Sequence, residues 1–136
     1  MTPVAELTDT FAVAGQIQPS DVAEFARQGY QVLICNRPDN EEMNQPSMDT
    51  IEAACGAAGI TLVRYPVTAM SFPGDDLAAM EDAMSGDVKT LAYCRSGARS
   101  ANLLGATLSG DQRTAAAQRA QQFGIPLTFV MQLGFS

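Results

Sequence analysis

The chain has 136 residues, 46% of them apolar, enough for one packed domain and too apolar for a disordered one. Fifteen acidic against eight basic residues leave a net charge of -7, so the surface as a whole does not attract nucleic acid or anionic lipid. Histidine is absent, which removes Ser-His-Asp and Cys-His catalysis, histidine-ligated metals and histidine pH switches together.

The three cysteines, Cys35, Cys55 and Cys94, show no Cys-x-x-Cys and no metal spacing, and their odd number fits a reducing compartment better than a disulfide framework. Met1 to Thr10 has neither a basic start nor an apolar run, so no signal peptide is expected. No segment approaches the length of a membrane span. The expectation is a cytoplasmic protein with no metal, no organic cofactor, no nucleic-acid partner and no membrane partner.

Phe11-Ala12-Val13-Ala14, stopped by Gly15, reads as a first strand. Pro19 and Ser20 open a helix through Arg27, with Asp21 and Glu24 at capping-box spacing and Gly29 as the stop. Gln31 to Cys35 is a continuous apolar run of strand length, as a strand buried on both faces requires. Asn36 to Glu42 is loop chemistry. A second helix starts near Ser47 and places Ile51, Ala54, Cys55 and Ala58 on one face before Gly59.

Thr61 to Tyr65 is a third strand, halted by Pro66. A third helix carries Leu77, Met80, Ala83 and Met84 on one side. Val88 to Tyr93 is the fourth strand, Ser100 to Leu108 a helix, and Asp111 to Phe123 another, closed by Gly124. Strands alternating with helices define one α/β domain over residues 1–136, a mostly parallel sheet of four to five strands flanked by helices.

In such sheets ligands bind beyond the carboxyl ends of the strands, where Cys94 directly follows the fourth strand. The loop Cys94-Arg95-Ser96-Gly97-Ala98-Arg99 then leads into a helix near Ser100. Gly97 permits a backbone turn that points successive amides inward, and the helix start adds its own donors and positive dipole end. That setting stabilises a thiolate and holds an anion over it. Arg99 is the two-point oxyanion ligand, with Arg95 as a second candidate that also reads as a plain solvated side chain. Ser96 and Ser100 are candidates to hydrogen-bond the thiolate, and Gly97 and Ala98 complete the substrate loop.

Cys35 and Cys55 read as small buried hydrophobes. Arg37 has two readings: lining the pocket mouth with Glu41 as a substrate residue, or tying its loop by a salt bridge to Asp39 or Glu42. Tyr65 and Tyr93 are expected to pack in the sheet with partnered hydroxyls. The seven methionines read as packing residues rather than a metal set. Asp75 and Asp76 read as helix caps. For the apolar stretch Ile125 to Phe135 three readings stand: packing on the domain, covering a partner copy, or covering the mouth of the site.

Val13-Ala14-Gly15-Gln16-Ile17, Asn36-Arg37-Pro38-Asp39-Asn40-Glu41, Tyr65-Pro66-Val67 and Cys94-Arg95-Ser96-Gly97-Ala98-Arg99-Ser100 together resemble the beta-lactamase-hydrolase-like, phosphatase-like domain family. The resemblance runs from Leu7 to about Ala106, and residues 107–136 form a C-terminal helix and apolar tail beyond it. It implies a fold related to the dual-specificity phosphatases and a cysteine nucleophile at Cys94 with Arg99 as its partner. The family carries both phosphatase-like and sulfurtransferase labels.

Three departures from cysteine phosphatases follow from that likeness. Those enzymes place five residues between nucleophile and arginine, whereas four separate Cys94 from Arg99, as in rhodanese-type sulfurtransferases. They carry histidine before the cysteine, where this chain has Tyr93. Their acid follows the strand matching Thr61–Tyr65, whereas Pro66 to Ser71 contains no carboxylate.

The expected activity is therefore sulfur transfer from thiosulfate or a persulfide to a thiol or cyanide acceptor through a Cys94 persulfide. The alternatives are a phosphatase working through a Cys94 phosphocysteine on a phosphoester, and a non-catalytic persulfide sensor or sulfur relay. Relatives of the domain occur fused to persulfide-oxidising metalloenzymes, which makes such an enzyme the expected partner of a relay.

Overall fold

Four apolar runs of strand length have to be covered on both faces, and the chain achieves this by laying them side by side in one sheet. The computed structural model describes residues 2–128 and 130. Its strands are β1 (Val4–Glu6), β2 (Phe11–Ala14), β3 (Val32–Cys35), β4 (Thr61–Arg64) and β5 (Thr90–Tyr93), in the order β1-β2-β5-β3-β4. β2, β5, β3 and β4 run parallel, and only β1 pairs antiparallel, on β2. The expected α/β fold with a mostly parallel sheet is the observed one.

The helices are α1 (Val22–Arg27), α2 (Met48–Ala58), α3 (Leu77–Met84), α4 (Ala98–Thr107) and α5 (Gly110–Gln122). Side chains alternate across each strand, so two cores result. Ala12, Ala14, Leu33, Cys35, Leu91 and Tyr93 pack with Val22 and Phe25 of α1 and Ile51 and Cys55 of α2. Phe11, Val13, Ile34 and Ala92 pack on the other face with Met80 and Met84 of α3, Leu103 and Leu104 of α4, and Ala116 and Ala120 of α5. No described helix is long and apolar enough to cross a membrane.

The ends of the helices follow local chemistry. Ser47 caps α2, its hydroxyl accepting from the Thr50 amide at 3.1 Å, and Asp76 caps α3, accepting from the Ala79 amide at 3.2 Å. The capping box expected at Asp21 and Glu24 forms three residues earlier, between Gln18 and Asp21. A single 3-10 turn over Pro19–Asp21 precedes α1, so the orphan amides lie at its start rather than at Val22.

Two expectations are corrected. β1 lies within the stretch Met1 to Thr10 that showed no element. Met80 and Met84 are buried as expected, but Met43 is 91% and Met70 98% exposed, both on loops at the carboxyl edge of the sheet.

Leu127 and Val130 are buried in the core beside α4, and the Val130 amide donates to Asn102 Oδ1 at 3.0 Å. The described part of the tail thus packs on its own domain, while Phe129 and residues 131–136 lie outside the described residues.

Candidate active site

β5, the last of the described strands along the chain, is the central one, lying between β2 and β3. The chain leaves β2 and β3 toward α1 and α2 on one face and leaves β5 toward α4 on the other, so the carboxyl end of β5 is where the connections diverge. Cys94 follows at once, with its amide donating to Ala14 O at 3.3 Å and 1% of the residue exposed. The thiol is buried beneath the loop that follows.

The loop above it is braced from β2. The Gln16 amide donates to Arg95 O at 3.2 Å, and a Cβ on Gly15 would stand 3.0 Å from that same oxygen, so glycine is what allows the approach. Gly97 has φ +94 at the N-cap of α4, which turns its amide back to donate to Cys94 Sγ at 3.1 Å. Sulfur, loop amide and helix start converge as the sequence predicts.

Ser100 is corrected. It is fully buried, but its hydroxyl donates to Asn36 Oδ1 at 2.8 Å instead of to the sulfur. Asn36 in turn donates from Nδ2 to Tyr65 O at 3.0 Å, so the three residues tie β3, β4 and α4 together beneath the loop. The Ser96 hydroxyl accepts from the Ala98 amide at 3.4 Å and caps the turn.

The arginines form a connected set. Arg99 donates from Nη1 to Glu41 Oε2 and from Nη2 to Glu41 Oε1, both at 2.8 Å, and from Nη1 to Val67 O at 2.8 Å. Arg37 donates from Nε to Glu41 Oε1 at 2.9 Å, from Nη1 to Gln16 Oε1 at 2.9 Å, and from Nη2 to Glu42. Arg37 is 1% exposed and every nitrogen of its guanidinium is engaged, so it anchors its loop and does not line the mouth. The loop-tying reading holds, through Glu41 and Glu42 and not Asp39, whose carboxylate accepts from the Met48 amide at the start of α2. Arg95 is exposed, with Nε 3.3 Å from Glu42 Oε1.

These contacts set the ionisation of the groups. The Arg99 guanidinium, more than Arg37, holds the Glu41 carboxyl below the usual carboxylate range, and Glu41 raises Arg99 in return. Burial pushes the Cys55 thiol up to about 11 and raises Cys35, against a hydrogen bond from Tyr93. Burial also raises the Tyr93 phenol. Cys35 and Cys55 thus behave as the apolar packing residues the sequence predicts. The hydroxyl of Tyr65 donates to Pro73 O at 2.9 Å and accepts from the Asp76 amide, partnered as expected.

Nothing local in the sequence signals the pairing of Glu41 with Arg99, 58 residues apart, or the supports from Gln16 and Asn36. Glu41 lies four residues after Arg37, a spacing that hints at the first contact and at nothing of the second.

A central parallel strand that ends in a cysteine and continues through a glycine-turned loop into a helix belongs to the cysteine-phosphatase-like α/β class. The chain belongs to the family of the beta-lactamase hydrolase-like protein, phosphatase-like domain, which matches residues 4–110. The Xylella fastidiosa beta-lactamase hydrolase-like protein is 34% identical over 97 residues, 71% of this chain and 22% of that protein. This chain thus spans under a quarter of that relative.

A candidate phosphatase from Neisseria meningitidis is 30% identical with a TM-score of 0.78, over 96% of this chain and 95% of that one. TpbA of P. aeruginosa, solved with phosphotyrosine, shares the fold at 13% identity and a TM-score of 0.65, over 95% of this chain and 80% of its own.

Proposed function

We propose that the protein is a cysteine-dependent sulfurtransferase in which Cys94 takes a terminal sulfane sulfur from a small anionic donor. The observation that carries this reading is the short loop: four residues separate Cys94 from Arg99, and the cysteine is 1% exposed. A terminal sulfur is a single projecting atom and reaches a buried thiol more readily than a phosphorus surrounded by three oxygens.

Acid chemistry supports the same reading. Phosphoester cleavage needs a proton for the leaving oxygen, whereas sulfite or a thiolate departs without one. Pro66 to Ser71 offers no carboxylate, and Asp76 caps α3. Glu41 does reach the loop, but Arg99 keeps it ionised and so a poor proton donor at neutral pH.

The reaction has two displacements. Cys94 thiolate attacks the outer sulfur of thiosulfate, the Sγ–S bond forms as the S–S bond breaks, and sulfite leaves with the bonding pair. A thiolate or cyanide then attacks the outer sulfur of the Cys94 persulfide and regenerates the thiolate. The Gly97 amide, which faces Cys94 Sγ, supports the persulfide, and Arg99, with Arg95 at the rim, holds the donor's anionic end. Arg37 and Ser100 act from behind, as anchors of the loop.

A phosphatase reading is the second, and its support is the likeness to phosphatase structures, one of them at 30% identity and one bound to phosphotyrosine. In that case Cys94 forms a phosphocysteine, vanadate inhibits, and phosphate release depends on Cys94. The two readings separate in one assay of wild type and Cys94→Ser: thiocyanate formation from thiosulfate and cyanide, beside hydrolysis of an aryl phosphate. Thiocyanate from the wild type alone, with aryl phosphate left at background, is the expected result. Cys94-dependent phosphate release without thiocyanate would replace sulfur transfer by phosphate hydrolysis.

A further inference from the structure

Three arginines stand at the loop, and each is already paired. Arg99 and Arg37 share Glu41, while Arg37 and Arg95 share Glu42. Three positive and two negative groups leave a single net positive charge, and a Cys94 thiolate cancels it. From these side chains alone a dianion gains no net attraction, and its charge falls beside two carboxylates. A monoanion is opposed less.

The second observation is a cavity of about 280 Å³ immediately beside Arg99, lined by Ala69, Ala98, Arg99, Asn102, Pro126 and Thr128. Among the described lining residues, Ala69, Ala98 and Pro126 are apolar, and Arg99, Asn102 and Thr128 are polar. Asn102 is itself occupied, donating to Ala98 O at 2.8 Å and accepting from the Val130 amide. Thiosulfate has no part that would fill this space.

From these two features, and resting on the sulfur-transfer reading, we infer that the donor is an organic monoanion with a terminal sulfane sulfur and a small apolar body, selected against dianions by Glu41 and Glu42. Organic thiosulfonates and organic persulfides share this chemistry. In a thiosulfonate the Cys94 thiolate takes the outer sulfur, the Sγ–S bond forms as the S–S bond breaks, and the organic sulfinate leaves with the pair, so two negative charges enter and two remain. The apolar body then rests against Ala69 and Pro126 with the head at Arg99.

Three donors separate charge from body: thiosulfate (a dianion), methanethiosulfonate (a monoanion without a body) and benzenethiosulfonate (a monoanion with one), each assayed as kcat/KM with cyanide. Intrinsic reactivity cancels when ratios are compared between variants. Glu41→Gln shifts the ratio of thiosulfate to methanethiosulfonate toward thiosulfate by about fivefold, the effect of removing one nearby charge. Glu42→Gln, a change on a half-exposed side chain that keeps the protein folded if the Glu41 variant does not, shifts it the same way by a smaller factor. Ala69→Trp, which fills the cavity, lowers the ratio of benzenethiosulfonate to methanethiosulfonate at least about threefold.

Ratios that stay constant across all three variants, or move the opposite way, overturn the inference while leaving sulfur transfer standing. Wild type that takes sulfur from none of the three donors overturns the sulfur-transfer reading itself.

Discussion

Glu41 grips Arg99 at two points, each oxygen accepting from a different guanidinium nitrogen at 2.8 Å, and Glu41 is in turn held by the buried Arg37 at 2.9 Å. The loop after β3 and the first turn of α4 are joined by this one carboxylate. Because Arg99 holds the Glu41 carboxyl below its ordinary value of 4.5, the contribution to stability is complete above that value and is lost as pH falls through the lowered one. Glu41→Gln is predicted to cost about 2 kcal/mol at pH 7, the scale of hydrogen bonds to charged groups. The gap between variant and wild type narrows as pH falls well below 4.5. Urea unfolding at both pH values measures it, and a gap independent of pH contradicts the ion-pair account.

Removing the sulfur separates chemistry from packing. Cys94→Ser is nearly isosteric at a buried position, so its melting temperature stays within a few degrees of wild type. Turnover falls by roughly a thousandfold or more, because the covalent intermediate has no other nucleophile. Circular dichroism melting beside steady-state assay reads both. Retained turnover in a folded variant removes Cys94 from the reaction.

Gly97→Ala tests the turn of the loop. An added Cβ finds ordinary spacing, 3.5 Å from the Ala14 carbonyl carbon, so the penalty is the left-handed backbone and not a clash. At φ +94 that penalty is about 1 kcal/mol. Turnover falls about tenfold or more, beyond what stability explains, because the amide that faces Cys94 Sγ is misdirected. A variant equally active but slightly less stable would make the Gly97 amide merely structural.

Asn36→Ala leaves the Ser100 hydroxyl and the Tyr65 carbonyl without their partner at a site sealed from water. The predicted cost is about 2–4 kcal/mol, measured by denaturant unfolding. A cost under about half a kcal/mol would mean that water replaces the lost groups.

The sequence carried the local parts of this structure clearly. β2 to β5 were legible because buried parallel strands are continuous apolar runs, and α2 and α3 because Ser47, Gly59 and the spaced Met80 and Met84 mark ends and faces. The loop from Cys94 to Arg99 was legible because glycine, arginines and a helix start coincide in six residues.

What the sequence hid depends on distant pairing. β1 is three residues at the sheet edge, too short for any period, and its partners on β2 alone define it. Arg37 in a polar loop reads as a residue of the pocket mouth as readily as a loop tie until Glu41, Glu42 and Gln16 close around it. The orientation of Ser100 toward Asn36, 64 residues away, is likewise a product of the assembled sheet. Met43 and Met70 kept the composition of a core while lying in loops that face solvent.

The most direct measurement is the intact mass of wild type and Cys94→Ser after incubation with thiosulfate and, separately, with benzenethiosulfonate. A gain of one sulfur atom on the wild type alone, removed by cyanide, is the predicted result. Wild type that gains no sulfur from either donor, or Cys94→Ser that gains it equally, contradicts the account.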